Sequence, residues 1–120
     1  MADITGTAAS QIETTKVGAA FVVTPKESLT YKNCHEFQSA VLALIGQHPS
    51  MIIVDGRSVA FIDSKALESL LFLHDRLKEQ GGMLNLASLN AVCHDILIAT
   101  RFINIFHVYQ DIQEAIRAGT

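Results

Sequence analysis

The chain has no tryptophan, two prolines and two cysteines in 120 residues. Cys34 and Cys93 lie far apart and form no CxxC pair. Nothing in their spacing suggests a disulfide framework, and they are expected as free thiols buried on helices in a reducing compartment. Positive charge is thin and scattered. Nine Lys and Arg stand against twelve Asp and Glu, for a net charge of -3 with no basic cluster. Nucleic acid and anionic membrane surfaces are therefore poor partners, and another protein is the more natural one. No apolar run reaches the roughly 18 residues of a membrane helix, so no direct membrane insertion is expected. Residues 1–10 (MADITGTAAS) have neither a basic n-region nor an apolar h-region. They read as a flexible N-terminal tail instead of a signal peptide, which makes cytoplasmic residence the default.

What is present is ordinary for one globular domain: 49% hydrophobic and 18% charged residues, enough for a single core. From Gln11 to Thr24 the pattern predicts two short strands turning at Gly18, and Pro25 ends the pairing because it has no N–H to donate. Phe37, Val41, Leu44 and Ile45 have helical spacing, with Thr30 or Asn33 as the cap and Gly46 at the end. Met51 to Val54 is a four-residue apolar run, as a strand covered on both faces requires. Asp55 and Gly56 follow it, and Val59 to Ile62 reads as an extended or irregular apolar segment.

A second helix is predicted from Lys65 to Gln80, with Leu67, Leu70, Leu71, His74 and Leu77 as its apolar stripe. Gly81-Gly82 stops it. Met83 to Leu86 is the next strand. Ser88 or Asn90 caps a third helix with Val92, Ile96, Leu97 and Thr100 inside. Ile105 to Tyr109 is the last strand, and Asp111 caps a final helix through Ile112, Ala115 and Ile116. The order β-β-α-β-α-β-α-β-α implies an α/β fold. Its sheet is mixed but mostly parallel, about five strands flanked by about four helices.

In such sheets function gathers at the carboxyl ends of the strands. Three segments belong there: the loop from Pro25 to Thr30, Asp55-Gly56, and the corner Ile62-Asp63-Ser64. Ser64 lies where a strand-like segment turns into a helix, close to free backbone N–H groups that tolerate negative charge. It is either a plain helix cap or the site of a switch. A phosphate there would add about -1.5 to -2 charge. The helix N-terminus and Lys65 would offset it, and Asp55 and Asp63 would oppose it. The main effect would be on the face shown to a partner.

These same residues resemble the STAS domain of bacterial anti-sigma factor antagonists. The stretch from Ile53 to Leu71 (IVDGRSVAFIDSKALESLL) is similar to that family's β3–α2 signature. There an Asp follows a hydrophobic strand, and Asp-Ser-(Ser/Thr)-Gly-Leu opens a helix. Leu77 to Leu86 is similar to the helix end, glycine and next strand, and Asp95 to Ile116 to the last helix–strand–helix. The resemblance implies a STAS-like domain over residues 11–117. It also implies a non-enzymatic protein-interaction module controlled by serine phosphorylation. The phosphorylated serine would be Ser64, and the implied partners are an anti-sigma factor serine kinase and a serine phosphatase. Asp55, Asp63, Lys65, Ala66, Leu29 and Thr30 would form or shape the partner face. Three positions depart from the pattern. Lys65 replaces Ser/Thr, Ala66 replaces a glycine that lets a partner's backbone approach, and Glu27-Ser28-Leu29-Thr30 retains only the leucine of Gly-Glu-Leu-Asp.

Other chemistry is poorly supported. Asp55 and Asp63 have no nucleophile or substrate anchor beside them and suit turn and cap roles better than acid–base catalysis. His35, His48, His74, His94 and His107 have no metal-ligand spacing, so neither metal nor cofactor is expected. Gly81-Gly82 follows a helix and lacks the phosphate-loop spacing. Phe61, Phe102 and Phe106 are core or interface residues, which leaves a homodimer open. Two further readings stand beside the antagonist: an accessory STAS-like subunit of a membrane lipid or anion transporter, and a small-ligand or nucleotide-binding module.

Overall fold

The structure, a computed structural model, describes residues 11–119. The expected tail over residues 1–10 lies outside them. Strand β1 (Ile12–Val17) turns through Gly18 into β2 (Ala20–Pro25). Then follow helix α1 (Cys34–Ile45), β3 (Met51–Asp55), helix α2 (Ser64–Glu79), β4 (Met83–Ala87), helix α3 (Ala91–Ala99), β5 (His107–Tyr109) and helix α4 (Ile112–Ala118). The five strands form one sheet in sequence order, antiparallel at β1–β2 and parallel elsewhere. This is the expected α/β architecture.

Because right-handed crossovers step always in the same direction, α1, α2 and α3 stack on one face of the sheet. The strand period of two sorts the buried residues. Ile52, Val54, Leu84 and Leu86 face those helices and form the larger core with Phe37, Val41, Leu70, Leu73, Leu77 and Leu97. Met51, Ile53 and Ala87 face the other way, under Ala115 of α4. The uninterrupted run Met51–Val54 is explained by this two-sided cover.

Several local expectations are corrected. Leu71 is only half-buried, while Leu73 and Ala66 are in the α2 core seam. Val92, expected inside, is 53% exposed, and Cys93 occupies the buried position on α3. Thr100 is exposed and donates its hydroxyl to Ile96. Cys34 is half-buried, not buried, because it opens α1 at the surface. The last strand is shorter than predicted. Phe102–Asn104 form a 3-10 turn after Arg101 (φ 69°), and the pairing starts only at His107. Phe106 is buried, and Phe61 is 46% exposed.

Helix ends follow their chemistry. Asn90, not Ser88, caps α3: its Oδ1 accepts from Cys93 N–H at 2.8 Å, whereas Ser88 has φ 61° in the preceding loop. Asp111 caps α4 by accepting from Glu114 N–H. Beyond α2, Gly81 adopts φ 84° and Gly82 N–H donates back to Leu77 C=O, the bond that closes a glycine-terminated helix.

Candidate functional site

The carboxyl ends of β2 and β3 open into two segments that are stitched side by side. Leu29 N–H donates to Phe61 C=O at 3.2 Å, and Asp63 N–H donates to Leu29 C=O at 3.1 Å. Leu29 and Ile62 thus make an isolated parallel bridge, and both side chains are buried. Their apolar side chains help to hold both segments on the core. Ser28 Oγ accepts from Phe61 N–H, and Asn33 fastens the loop by accepting from Thr30 N–H and donating to Ser28 C=O. Asn33 therefore ties the loop together and makes no side-chain cap to α1.

Asp63 is the junction. It is the N-cap of α2, with Oδ1 accepting from Ala66 N–H at 2.9 Å. Its Oδ2 accepts from Tyr31 N–H at 2.8 Å, across to the neighbouring loop. Of the two roles considered for Ser64, the cap is ruled out by this geometry, since Asp63 supplies it. Ser64 is the first residue of the 16-residue helix, exposed, and its hydroxyl has no hydrogen-bond partner among the described residues. Lys65 is also exposed and pairs with Glu68 at 3.5 Å, a surface contact worth little.

The other expected site residues are placed less openly. Ala66 is 1% exposed and packs in the larger core, so its methyl does not stand on the face. Leu29 is likewise 1% exposed and contributes its backbone, while Thr30 is half-buried beside it. Asp55 is 0% exposed. Its carboxylate accepts from Arg57 N–H at 3.1 Å and from Arg57 Nε at 2.9 Å, and pairs with Arg57 Nη2 at 2.8 Å. Thr24 Oγ1 donates to it from β2 at 3.4 Å. Asp55 thus presents no surface itself. It fixes Arg57, whose side chain is 67% exposed. A Cβ at Gly56 would sit 2.6 Å from Leu89 Cδ2, so a larger residue at this turn requires the Leu89 side chain to shift.

The structure also adds residues that sequence reasoning missed. Tyr31 is 67% exposed and, with Phe61, Asp63 and Lys32, lines an open depression of about 520 Å³. Asn90 reaches back from α3 to donate to Val59 C=O and Ala60 C=O, which fixes the backbone leading into Phe61. Phe61 carried a signal, as an aromatic two residues before Asp63; Tyr31 and Asn90 become neighbours of the corner only through the fold. Among the described residues no cluster of His, Cys, Asp or Glu is suited to hold a metal ion.

A rigid acidic N-cap with a free serine after it, at the carboxyl edge of a β2–β5 parallel sheet, agrees with a family match. The STAS domain family model covers residues 11–115. The chain belongs to the STAS domain family. No curated protein sequence matches it. Solved structures do. A STAS domain protein from Planctomyces limnophilus, described as an anti-sigma-factor antagonist, is 25% identical with TM-score 0.82, covering 90% of this chain and 97% of that one. A Thermotoga maritima protein provisionally described as an anti-sigma factor antagonist is 23% identical with TM-score 0.83, covering 92% and 95%. A sulfate transporter family protein from Wolinella succinogenes is 18% identical with TM-score 0.77, covering 88% of each chain, and this likeness shows the fold alone. No helix among the described residues of the STAS chain is long and apolar enough to cross a membrane.

Proposed function

We propose that this STAS domain is a non-enzymatic anti-sigma factor antagonist whose partner contact is switched by phosphorylation of Ser64. The observation that carries this reading is the division of labour at the corner. Asp63 holds the helix cap and the neighbouring loop, which leaves the Ser64 hydroxyl exposed and uncommitted. A serine that served only as a cap would have its oxygen turned onto the helix N–H groups.

The contact face in this reading is Asp63, Ser64, Lys65 and Thr30, with Tyr31 and Phe61 as its apolar anchors. Leu29 and Ala66 shape it from below, and Asp55 acts through Arg57. The partner is an anti-sigma factor serine kinase, reset by a serine phosphatase. A phosphate on Ser64 brings about -1.5 to -2 charge next to Asp63, whose two oxygens are already held by N–H groups of α2 and of the Tyr31 loop. The α2 N-terminus tolerates the added charge, so the fold survives. The like-charge neighbour and the changed surface potential weaken partner contact.

The test is capture from host extract with wild-type, Ser64→Ala and Ser64→Asp baits, followed by incubation of the captured protein with ATP. The expected result is an ATP-binding kinase retained by wild type and Ser64→Ala, lost at least tenfold with Ser64→Asp, and able to add one phosphate to Ser64 of the wild type. Equal retention on all three baits, with no phosphate transferred, sinks the switch. Capture of transporter components by all three would instead favour the accessory-subunit reading, to which the Wolinella succinogenes likeness gives its fold-level support.

A further inference from the structure

Asp55 is the only fully buried carboxylate among the described residues, and its charge partner is Arg57, two residues on. Taking a carboxylate out of water is costly even when it is paired, so such a pair is a weak source of stability. Its geometry has another consequence. Arg57 N–H donates to Oδ1 at 3.1 Å, while Nε and Nη2 both lie on Oδ2, at 2.9 and 2.8 Å. These charge-assisted bonds fix the guanidinium plane. They leave Nη1 uncommitted to Asp55, on a side chain that is 67% exposed. The backbone around it is held as well: Gly56 N–H donates to Ala87 C=O at 2.8 Å and Val59 N–H to Gly56 C=O at 3.0 Å. A cation fixed in this way has little freedom left to lose when a partner arrives.

The loop that begins with Arg57 runs through the exposed Ser58, Ala60 and Phe61 to Ser64. Asn90 and the Leu29–Ile62 bridge hold it along the way. Lys26 and Arg57 each follow the paired Val23 and Val54 by three residues, and both are exposed. Two exposed cations thus stand past the ends of β2 and β3 against one enclosed carboxylate, while Glu27 lines the Tyr31 depression.

We propose that Arg57 is a specificity contact of the partner face and selects a partner that carries a carboxylate, an Asp or Glu side chain, opposite the guanidinium. The planar fork of arginine matches a carboxylate in a way that an ammonium does not. Asp55 lies behind the guanidinium and out of solvent, so an incoming carboxylate meets the cation first. This inference rests on the antagonist reading for where the partner sits. It also agrees with the sign of the switch, because an acidic partner is the kind that a phosphate on Ser64 repels.

The experiment needs no partner protein. The full chain is titrated with acetyl-Glu-Glu-Glu-amide, and separately with acetyl-Gln-Gln-Gln-amide, at ionic strength held constant with sodium chloride. NMR follows the Arg57 Nε–H and the Gly56 and Ser58 amides. The expected result is a saturable shift with the glutamate peptide and none with the glutamine peptide. Ser64→Ala binds as the wild type does, and Arg57→Lys weakens binding about fivefold or more. Arg57→Lys keeps a positive charge beside Asp55, and backbone spectra verify its fold. Relaxation of Arg57 Nε in the free chain should give an order parameter near that of rigid backbone, about 0.85. A mobile Nε, no saturable shift with the glutamate peptide, an equal shift with the glutamine peptide, or undiminished binding by Arg57→Lys overturns the proposal and leaves Arg57 only to neutralise Asp55. The switch fails by a different result, equal capture on the Ser64 baits, so the two readings are separable.

Discussion

At Asp63 one carboxylate serves two parts of the chain, α2 through Ala66 N–H and the preceding loop through Tyr31 N–H. Removing a cap side chain alone costs about 0.5–2 kcal/mol. Losing the second bond as well places Asp63→Ala at the upper end, about 2 kcal/mol, with faster amide exchange at Tyr31 and Ala66. Chemical denaturation and hydrogen exchange check both, and a change below about 0.5 kcal/mol would mean that water replaces the carboxylate. Ser64→Ala, which breaks no bond, leaves stability unchanged in the same assay. His74 supplies a pH dependence. Its folded-state pKa is lowered, mainly by burial, so the unfolded chain binds the proton more readily. Its contribution is therefore full above the unfolded value and is lost as pH falls through that value towards the folded one. Between about pH 7.5 and pH 5 the wild type should lose more stability than His74→Phe, which keeps the packing on Phe106 without the titration. Parallel curves would show that His74 titrates alike in both states. Asp63 and Ser64 were recognisable in sequence because cap chemistry is local. The burial of Asp55 was not, since it depends on β2 lying beside β3, which brings Thr24 onto the carboxylate, although Arg57 two residues on is a local partner.

At the scale of the element, α2 shows how far periodicity reaches. The sequence stripe contains Leu67, Leu70 and Leu77 correctly, but it selects Leu71 where the structure buries Leu73. Both leucines fit a helical repeat, and only the line of contact with α1 and the sheet decides between them. Leu73 is 0% exposed, so Leu73→Ala should cost about 2–5 kcal/mol, against less than about 1.5 kcal/mol for the half-buried Leu71→Ala. Thermal or urea unfolding of the pair checks this, and equal losses would mean that Leu71 lies in the seam as fully as Leu73. The same limit explains α3. Its sequence, AVCHDILIA, is apolar nearly all round, so periodicity offers no preferred face. Contact with the Val59–Ala60 segment turns Cys93 and Leu97 inward and leaves Val92 and Ile98 outside. Burial also raises the Cys93 thiol pKa, which keeps it protonated and unreactive beside a carbonyl.

For the whole molecule, one sheet separates two cores of unequal size, and β3 contributes alternate residues to each. Neither face can open without exposing the other side of the same strands, so unfolding should be a single transition. Fluorescence from Tyr109, on the α4 face, read in a Tyr31→Phe background, and from a Trp introduced in place of the half-buried Phe102, on the other, should give coincident urea curves. The common slope should be about 1–3 kcal/mol per molar. Separated curves would make α4 and its small core an independent unit. The sequence by itself determined the element order, the mostly parallel sheet and the polar corner after Ile62, because these follow from short-range periodicity, turn residues and caps. Only the tertiary structure decided which carboxylate is buried, that the Leu29 loop is sewn to Phe61 and Asp63, and that Asn85 lies unsatisfied at the end of a truncated ladder. Those outcomes depend on residues more than twenty positions apart in the chain reaching one another, and local pattern carries no record of such distances.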